Sequence, residues 1–328
     1  MHAWLCDNPI GAHALRWTEL PTPEPRAGEV RVAVRAASLN FPDLLMVQNK
    51  YQVKPPLPFI PGVEFSGTID ALGEGVSGFS PGMAVASFGG LGGFATHVCV
   101  DAKLVMPLAA GFAFDDAAAF ICTYGTTHHA LLDRAGLARG DTVLVLGAAG
   151  GVGTAAIQVA KAAGARVVAA ASSDAKCALC RELGADATVN YADRSSAELR
   201  ESIRAATDGR GPDVVYDPVG GELAETVFRS IAWRGRYLVI GFAGGTIPAL
   251  PLNLALLKGA SLVGVFWGEF VRREPERHAR AMAELALWYA EGKIKPVIEQ
   301  RLALSDLPRA FELMAARQVR GKLVLRND

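Results

Sequence analysis

Four glycines lie close together between an apolar run and an Ala-rich segment, in DTVLVLGAAGGVGTAAIQVAKAAGARVVAAASS at residues 141–173. This order of residue types predicts a strand, a tight turn, a helix and a second strand. Glycines in such a turn let a pyrophosphate approach backbone N–H groups and the positive end of the helix. Aligned on Gly150 and Gly153, the G-x-G-x-x-G fingerprint has Ala148 at its first position, so a turn that serves only tight packing is the alternative. We expect a dinucleotide at the backbone of Ala149, Gly150, Gly151 and Val152.

The end of the second strand distinguishes NADH from NADPH. A site that prefers NAD usually places Asp or Glu there to bind the ribose hydroxyls, whereas this chain continues VVAAASSDAK. Without that carboxylate a 2′-phosphate is not repelled, and Lys176 can offset its charge of about −2 while Ser172 and Tyr191 donate hydrogen bonds. Asp174 could take over the acidic role, but it lies beyond the expected strand end. We therefore expect NADPH as the cofactor.

Two pairs of metal-ligating residue types occur at short spacing. Cys177 and Cys180 are spaced like half of a metal site, but one helical turn carries both and the sequence has no second pair. We interpret them as packing residues. His128 and His129 are adjacent, so their side chains point in different directions. The residues themselves therefore predict no metal site.

The segments around the glycine turn predict two kinds of domain. Residues 29–36, EVRVAVRA, alternate apolar and polar residues as a half-buried strand does, and turn signals are frequent from there to about residue 110. This half is expected to be an antiparallel β-domain. From about residue 122, helical segments alternate with apolar strands, which predicts a doubly wound parallel sheet and an α/β fold. The six expected strands are 143–146, 166–171, 187–190, 213–216, 236–240 and 261–265.

Further local patterns predict helices and a last strand. Ser195 with Glu198 three residues later forms a capping box that predicts a helix start. Amphipathic spacing predicts one helix around Met282, Leu285 and Tyr289 and a second around Leu307, Phe311 and Met314. The final apolar run, GKLVLR, is expected to return to the first domain as a strand.

Composition limits the class of protein. The 328 residues are 51% hydrophobic, which is enough for two domains, and 33 basic residues balance 33 acidic ones. This balance argues against nucleic acid or a membrane surface as the main partner. Five scattered cysteines are typical of reduced thiols in a cytoplasmic protein. Asp7 and Pro9 precede any apolar run of signal-peptide length, so we expect no secretion.

Five segments make nearly the whole chain resemble the medium-chain dehydrogenase/reductase superfamily, and within it the zinc-independent quinone oxidoreductases. They are AASLNFPDLL (36–45), PFIPGVEFSG (58–67), LGAAGGVGTAAIQVAKAAGA (146–165), GADATVNY (184–191) and GPDVVYDPVGG (211–221). The resemblance implies a GroES-like antiparallel β-barrel domain at 1–121 and 269–328. It implies a Rossmann dinucleotide-binding domain at 122–268.

The second segment bears on metal chemistry. Zinc alcohol dehydrogenases of this superfamily have Cys where this chain has Asn40, and GHE where it has Gly62, Val63 and Glu64. A catalytic zinc needs three protein ligands, and two of the usual three are absent. The structural four-cysteine lobe is also absent, because residues 80–100 contain only Cys99. We therefore expect reduction of acceptors that are already electrophilic, such as quinones or activated C=C bonds, by transfer from the nicotinamide C4.

The resemblance also implies site residues in a cleft between the two domains. Asn40 and Tyr51 are expected near the nicotinamide and the acceptor, and Thr126 is expected to contact the cofactor. A phenol or an amide there can donate a hydrogen bond to an acceptor oxygen that gains charge. Tyr51 is the first candidate for that role and for proton delivery. The alternatives are a tyrosine at the rim of the core and, for Asn40, a cap on the turn before FPD.

Other cofactor contacts carried over from the resemblance lie toward the C-terminus. Gly241, Phe242, Phe266 and Trp267 are expected to flank the nicotinamide half, and Lys322 in GKLVL is expected to reach the phosphates. Phe266 and Trp267 could instead belong to a subunit interface, because the sixth strand often pairs across a dimer in this superfamily. The resemblance therefore implies a homodimer, whereas the strand SLVGVF itself indicates only that an apolar edge needs cover.

Three functions are consistent with these residues and with the resemblance. The first is an NADPH-dependent quinone oxidoreductase whose partner is a small quinone or activated carbonyl compound. The second is a reductase of enones, enals or enoyl thioesters, in which Lys50 and Lys54 would stand near a large acyl-CoA. The third is a cofactor-binding protein with little turnover, in a structural or RNA-associated role. The neutral charge and the lack of interleaved basic and aromatic residues argue against RNA.

Overall fold

The computed structural model describes residues 1–327. That part of the chain contains fifteen strands and eleven α-helices, besides short 3-10 and π-helical segments. The strands are β1 His2–Leu5, β2 Arg16–Glu19, β3 Glu29–Ser38, β4 Glu64–Leu72, β5 Ala84–Ser87, β6 His97–Asp101, β7 Val105–Pro107, β8 Thr142–Val145, β9 Arg166–Ala171, β10 Ala187–Asn190, β11 Val214–Asp217, β12 Arg236–Val239, β13 Ser261–Gly264, β14 Ile298–Ala303 and β15 Lys322–Arg326. The helices are α1 Phe41–Met46, α2 Phe114–Ala118, α3 Ile121–His128, α4 Gly151–Ala162, α5 Asp174–Glu182, α6 Ser196–Ala206, α7 Leu223–Ser230, α8 Asn253–Lys258, α9 Trp267–Arg273, α10 Pro275–Ala290 and α11 Leu307–Ala315. None of these helices is both long and apolar enough to cross a membrane.

Unit 1 comprises residues 1–122 and the described residues from Ile298 onward. Its main sheet has the order β14-β15-β3-β4-β5-β7, and β6 also pairs with β3. All of these pairs are antiparallel except β14 with β15. The valines of β3 at 30, 32 and 34 are buried, so the alternating strand predicted at 29–36 is confirmed. The predicted return of the C-terminal strand is also confirmed, because β15 pairs with β3.

Unit 2 comprises residues 123–297 and contains a six-stranded sheet of order β10-β9-β8-β11-β12-β13. Every neighbouring pair is parallel. This is the strand order of a doubly wound dinucleotide-binding sheet, and all six predicted strands are confirmed. The capping box is confirmed as well, since Ser195 Oγ accepts from Glu198 N at 3.3 Å and Glu198 Oε2 accepts from Ser195 N at 2.8 Å.

The structure differs from the expected division in the segment 269–297, which belongs to unit 2. The helix predicted around Met282 and Leu285 is present as α10, but it packs within this unit. The His129 ring stacks on Phe270 of α9 with centroids 4.0 Å apart, and Gln158 Nε2 of α4 donates to Lys295 O at 3.0 Å. These contacts hold α9, α10 and the segment that follows them to the elements around the parallel sheet.

Candidate functional site

The glycine-rich turn joins β8 to α4 in unit 2. Gly147 adopts a left-handed conformation with φ of 55°, and Gly150 N donates to Gly147 O at 2.9 Å. Ala148 N donates to Ala170 O of β9 at 3.0 Å, which ties the turn to the next strand. The left-handed residue therefore precedes the fingerprint's first position by one residue. This explains how the turn tolerates alanine at position 148.

Close packing of α4 against this turn requires glycine at 153. A Cβ added there would lie 2.4 Å from Gly147 O and 2.7 Å from Ala148 C. Gly150 is the N-cap of α4, so the N–H groups of Gly151 and Val152 belong to the first turn, where a helix supplies no acceptors of its own. Small residues and outward N–H groups fit a pyrophosphate at this position.

The residues expected at a 2′-phosphate lie together at the carboxyl end of β9. Lys176 Nζ lies 3.3 Å from Ser172 Oγ, directly after the last strand residue, Ala171. Tyr191 follows β10, and its N–H donates to Ala171 O at 3.0 Å. One cation and one hydroxyl therefore lie side by side, with the backbone of Tyr191 bonded to the adjacent strand end, at the edge where the ribose of a dinucleotide binds in such sheets.

Asp174 has a partner of its own. It is the first residue of α5, and its Oδ1 accepts from Asn190 Nδ2 of β10 at 2.8 Å. Ser173 is the N-cap of the same helix, with its side chain accepting from Lys176 N. Asp174 thus links α5 to β10, a structural role that sequence reasoning left open.

Asp217, at the carboxyl end of β11, organises the next two loops. Its Oδ1 accepts from Val219 N and Gly220 N, both at 2.8 Å, and its Oδ2 accepts from Tyr237 OH at 2.6 Å. Burial raises the pKa of Asp217, and the hydrogen bond from Tyr237 acts in the opposite direction. Sequence reasoning missed both residues, although Asp217 lies in the segment DPVGG that it quoted.

The loop held by Asp217 contacts the predicted cofactor residues at 241 and 242. Gly241 N donates to Asp217 O at 3.4 Å, and the Phe242 ring lies 2.8 Å from the position that a Gly220 Cβ would take. Val219 approaches the Cβ position of Gly147 to 2.9 Å. The two loops and the glycine turn therefore meet at one edge of the sheet.

Thr126 and Trp267 lie on neighbouring elements of unit 2. A Cβ on Gly125 would lie 2.6 Å from the indole of Trp267, so glycine in α3 makes room for this buried ring. Thr126 follows in the same helix, and the next residue, Thr127, contacts Val152 O of the glycine turn at 3.5 Å. Phe266 differs from Trp267 because 55% of its surface is exposed.

In unit 1, Asn40 is buried and its side-chain amide is engaged on every side. Its Nδ2 donates to Glu64 Oε2 at 3.0 Å and to Ser38 O at 3.3 Å. Its Oδ1 accepts from Lys322 Nζ at 2.6 Å. Asn40 is also the N-cap of α1, so the capping alternative raised by the sequence holds for its backbone. To donate to an acceptor, the amide would have to exchange one of these bonds.

The structure places Lys322 differently from the expected phosphate contact. The residue is 5% exposed, and its Nζ donates to Leu39 O at 3.0 Å as well as to Asn40 Oδ1. Glu64 Oε2 lies 3.7 Å from the same nitrogen. Strand β15 pairs with β3, which ends just before Leu39, and this pairing brings the ammonium inside unit 1. Its donors are directed at protein oxygens rather than at a phosphate.

Asp43 is a second buried carboxylate that sequence reasoning did not identify. Its Oδ2 accepts from Asn40 N at 2.8 Å, and its Oδ1 accepts from Gly62 N at 3.1 Å and Val63 N at 3.0 Å. Burial raises the pKa of Asp43 to about 7 against the opposing effect of these N–H donors and of Lys322. The side chain joins the start of α1 to the segment that leads into β4.

Tyr51 is half-buried against the core of unit 1. It lines a small cavity together with Met46, Lys54 and Phe59. Burial raises the pKa of the Tyr51 phenol, with smaller contributions from Cys122 and Asp43. The phenol therefore keeps its proton at neutral pH and is a hydrogen-bond donor.

The two cysteines and two histidines considered as metal ligands in the sequence lie in separate environments. Cys177 and Cys180 are buried in α5, and burial raises the pKa of Cys180 to about 12. His128 Nε2 lies 2.9 Å from Glu284 Oε2, and His129 Nδ1 lies 2.7 Å from Asp133 Oδ2. In residues 1–327, no three His, Cys, Asp or Glu side chains are grouped so that they could hold a metal ion.

Two protein families match separate parts of the chain. The family described as Alcohol dehydrogenase GroES-like domain matches residues 26–110, and the family described as Zinc-binding dehydrogenase matches residues 151–286. The first match lies in unit 1, and the second covers most of unit 2.

Several known proteins are similar to almost the whole chain. The quinone oxidoreductase-like protein 2 of Bos taurus is 39% identical over 306 residues, which are 93% of this chain and 87% of that protein. The quinone oxidoreductase of Pseudomonas aeruginosa is 35% identical over 96% of both chains. The quinone oxidoreductase of Thermus thermophilus, whose structure was also solved with NADPH, is 34% identical with a TM-score of 0.85 over 100% of both chains. The chain therefore belongs to the medium-chain dehydrogenase/reductase superfamily and, within it, to the quinone oxidoreductase-like proteins.

Proposed function

We propose that this protein uses NADPH to reduce quinones without a metal ion. The main support for the proposal is the contact between Lys176 and Ser172 at the carboxyl end of β9 in unit 2. NAD-specific sites have a carboxylate at this position. The relative from Thermus thermophilus, solved with NADPH, supports the same cofactor.

In the proposed site, unit 2 holds the cofactor. The pyrophosphate binds the N–H groups of the glycine turn, and the 2′-phosphate binds Lys176, Ser172 and Tyr191. Thr126, Gly241, Phe242, Phe266 and Trp267 contribute to the nicotinamide half. When bound, NADPH supplies reducing equivalents by transfer from C4 of its nicotinamide.

Unit 1 supplies the groups that we assign to the acceptor. A quinone oxygen gains negative charge as the ring is reduced, and a positioned donor stabilises that charge. Tyr51 keeps its proton because burial raises its pKa, so its hydroxyl can donate to the oxygen and then deliver the proton. We assign Asn40 as a second donor to the acceptor, through Nδ2. Val63 has no ligating atom at the position where zinc relatives have histidine, which supports a reaction without zinc.

We further propose that the protein is a cytoplasmic homodimer. All five cysteines are free thiols, in keeping with a reducing compartment. Strand β13 is the last strand of its sheet, with β12 as its neighbour, and large apolar side chains within residues 233–266 of unit 2 are 52 to 83% exposed. They include Trp233, Leu252, Leu256, Leu257, Leu262 and Phe266. An apolar edge of this kind is protected when a second copy pairs with it.

The experiment that tests this function measures NADPH oxidation by the purified protein, with NADH in parallel. The acceptors are a 1,4-quinone, an ortho-quinone, an α,β-unsaturated aldehyde and an enoyl-CoA. Turnover restricted to the quinones with NADPH supports the proposal. Turnover restricted to the aldehyde or the thioester overturns it in favour of an enone, enal or enoyl-thioester reductase. Binding of NADPH with no turnover would leave a cofactor-binding role.

A further inference from the structure

The amide of Asn40 lies between two buried groups of opposite charge. Lys322 Nζ donates to the amide oxygen at 2.6 Å, and Glu64 Oε2 accepts from the amide nitrogen at 3.0 Å. Glu64 is fully buried and Lys322 is 5% exposed, so water does not screen either group well.

This arrangement permits one orientation of the amide. An ammonium has only donors and a carboxylate has only acceptors. Rotation of the Asn40 amide by 180° would place Nδ2 against the ammonium of Lys322 and Oδ1 against the carboxylate of Glu64. Both contacts would be repulsive, so the charged pair fixes the direction in which Nδ2 points.

Glu64 is itself held in place by groups other than Lys322. Ser38 Oγ donates to Oε2 at 3.0 Å, and Cys122 N donates to Oε1 at 2.8 Å. These bonds come from the end of β3 and the start of α3, and Glu64 is the first residue of β4. The carboxylate is therefore a fixed acceptor against which the amide is set.

The contacts of Asn40 differ in strength. The bond from Nδ2 to the carbonyl of Ser38 is 3.3 Å long, the longest of those made by the amide, and its acceptor is uncharged. An incoming oxygen therefore displaces this bond at a lower cost than the charge-assisted bonds to Glu64 and Lys322. Donation from Lys322 to Oδ1 also polarises the amide and makes the remaining N–H a stronger donor.

We infer that Lys322 and Glu64 are positioning residues that orient and polarise Asn40, so that its Nδ2 donates to the oxygen that gains charge during the reaction. This inference rests on the proposed function and assigns Lys322 a role other than binding phosphate. It predicts that Lys322 acts on turnover through Asn40 and leaves nucleotide affinity nearly unchanged.

The test uses the full chain and four variants. Lys322→Met removes the ammonium, Lys322→Arg keeps a cationic donor, and Asn40→Ala removes the amide. Lys322→Met is also made in the Asn40→Ala background. For each protein we would measure kcat with a 1,4-quinone, KM for NADPH, and the Kd of NADP⁺ by titration calorimetry. If Lys322→Met does not fold, it is replaced by the double variant Lys322→Met with Glu64→Gln. The double variant removes both buried charges together.

The expected result is a fall in kcat of about tenfold to a hundredfold in Lys322→Met, less than the roughly hundredfold to thousandfold loss seen when a transition-state donor itself is removed, because Asn40 remains in place. We expect the Kd of NADP⁺ to change less than about twofold, Lys322→Arg to recover most of the kcat, and Lys322→Met to have little further effect in Asn40→Ala. A large rise in the Kd of NADP⁺ with unchanged kcat would show a phosphate ligand and overturn the inference. An equal loss of kcat with and without Asn40 would also overturn it.

A second readout separates this inference from the proposed function. If the wild-type protein reduces none of the acceptors, the proposed function fails, but the orientation of Asn40 can still be measured. The side-chain ¹⁵N–H signals of Asn40, identified by their loss in Asn40→Ala, are recorded with NADP⁺ bound. The positioning role is supported if these signals shift in Lys322→Met but stay close to their wild-type positions in Lys322→Arg. Unchanged signals contradict it.

Discussion

Replacing Tyr237 with phenylalanine removes one hydroxyl from the interior of unit 2, and the structure predicts a large effect. Tyr237 is 2% exposed and its partner Asp217 is 3% exposed. The bond between Tyr237 OH and Asp217 Oδ2 is 2.6 Å long, typical of a charged acceptor. The other carboxylate oxygen, Oδ1, accepts hydrogen bonds from two backbone N–H groups of the loop that begins at residue 218. Among the described residues, the hydroxyl is therefore the donor on which Oδ2 depends.

The magnitude follows from the charge of the acceptor. A hydrogen bond to a charged group contributes about 1.5–3 kcal/mol, and a buried oxygen left without a donor adds to the loss. We expect Tyr237→Phe to lower the free energy of unfolding by about 2–4 kcal/mol. The matched control is Tyr216→Phe, which removes an equally buried hydroxyl whose contact with Thr127 Oγ1, at 3.1 Å, is between neutral groups. Its expected cost is about 1 kcal/mol.

The difference in free energy of unfolding between Tyr237→Phe and Tyr216→Phe should depend on pH. Burial raises the pKa of Asp217 above its value in the unfolded chain, and loss of the Tyr237 bond raises it further. A group with a raised pKa in the folded state binds its proton more tightly there than when unfolded. Its stabilising contribution is therefore present below the unfolded pKa and is lost as the pH rises through the folded pKa. The loss of unfolding free energy caused by Tyr237→Phe is consequently smaller at acidic pH and larger at alkaline pH.

The assay is calorimetric unfolding of the full chain at pH 5 and pH 8, followed by titration of each variant with NADPH. At pH 8 we expect Tyr237→Phe to lose more unfolding free energy than Tyr216→Phe. At pH 5 we expect the difference between these two losses to be smaller. The Kd of NADPH should rise in Tyr237→Phe, because the loop held by Asp217 packs Val219 against Gly147. Equal deficits in the two variants, or a larger deficit for Tyr237→Phe at pH 5, would refute an ionised Asp217 held by this hydroxyl.

The proposed site makes four other predictions. Lys176→Ala should raise the Kd of NADPH about tenfold to a hundredfold and leave that of NADH unchanged, since only NADPH loses a charge-assisted bond; equal weakening in calorimetry contradicts the 2′-phosphate assignment. Leu262→Lys should convert a dimer to a monomer in light scattering because it charges the β13 edge, whereas Leu287→Lys, at an exposed leucine of α10, should not. Tyr51→Phe should lower kcat about tenfold or more with an unchanged Kd of NADP⁺; retained kcat would exclude the phenol as a donor. Incubation with EDTA should leave kcat unchanged, and a loss that zinc restores would contradict the metal-free reaction.

The parallel sheet could be predicted from sequence because its determinants are local. Each strand is a short apolar run bounded by glycine or polar residues, and the helix at Ser195 starts with a capping box that needs only four residues. The glycine turn was also predictable. The left-handed position at Gly147 was not, because the fingerprint aligns at Ala148 and conformation depends on how the turn meets β9.

The placement of residues 269–297 in unit 2 depends on contacts between distant parts of the chain. Amphipathic spacing predicts that a helix around Met282 buries one face, but the pattern does not identify the surface that covers it. The contacts that decide this are the His129 ring on Phe270 and the bond from Gln158 to Lys295 O. They join residues more than a hundred positions apart, beyond the reach of any periodicity.

The same limit explains why the surroundings of the buried charges of unit 1 could not be predicted. A lysine in GKLVL is ordinarily a surface cation, and a resemblance to nucleotide-binding proteins directs it to a phosphate. Its environment is set instead by the pairing of β15 with β3, which brings residue 322 beside Leu39 and Asn40. Asp43 likewise depends on N–H groups that the chain supplies from Gly62 and Val63, 19 and 20 residues away. A buried charge is tolerated only where such partners converge, and convergence is a property of the sheet rather than of the sequence segment. The residues that we propose to hold the cofactor could therefore be inferred from motifs, whereas the buried contacts of the Asn40 amide could be found only in the fold.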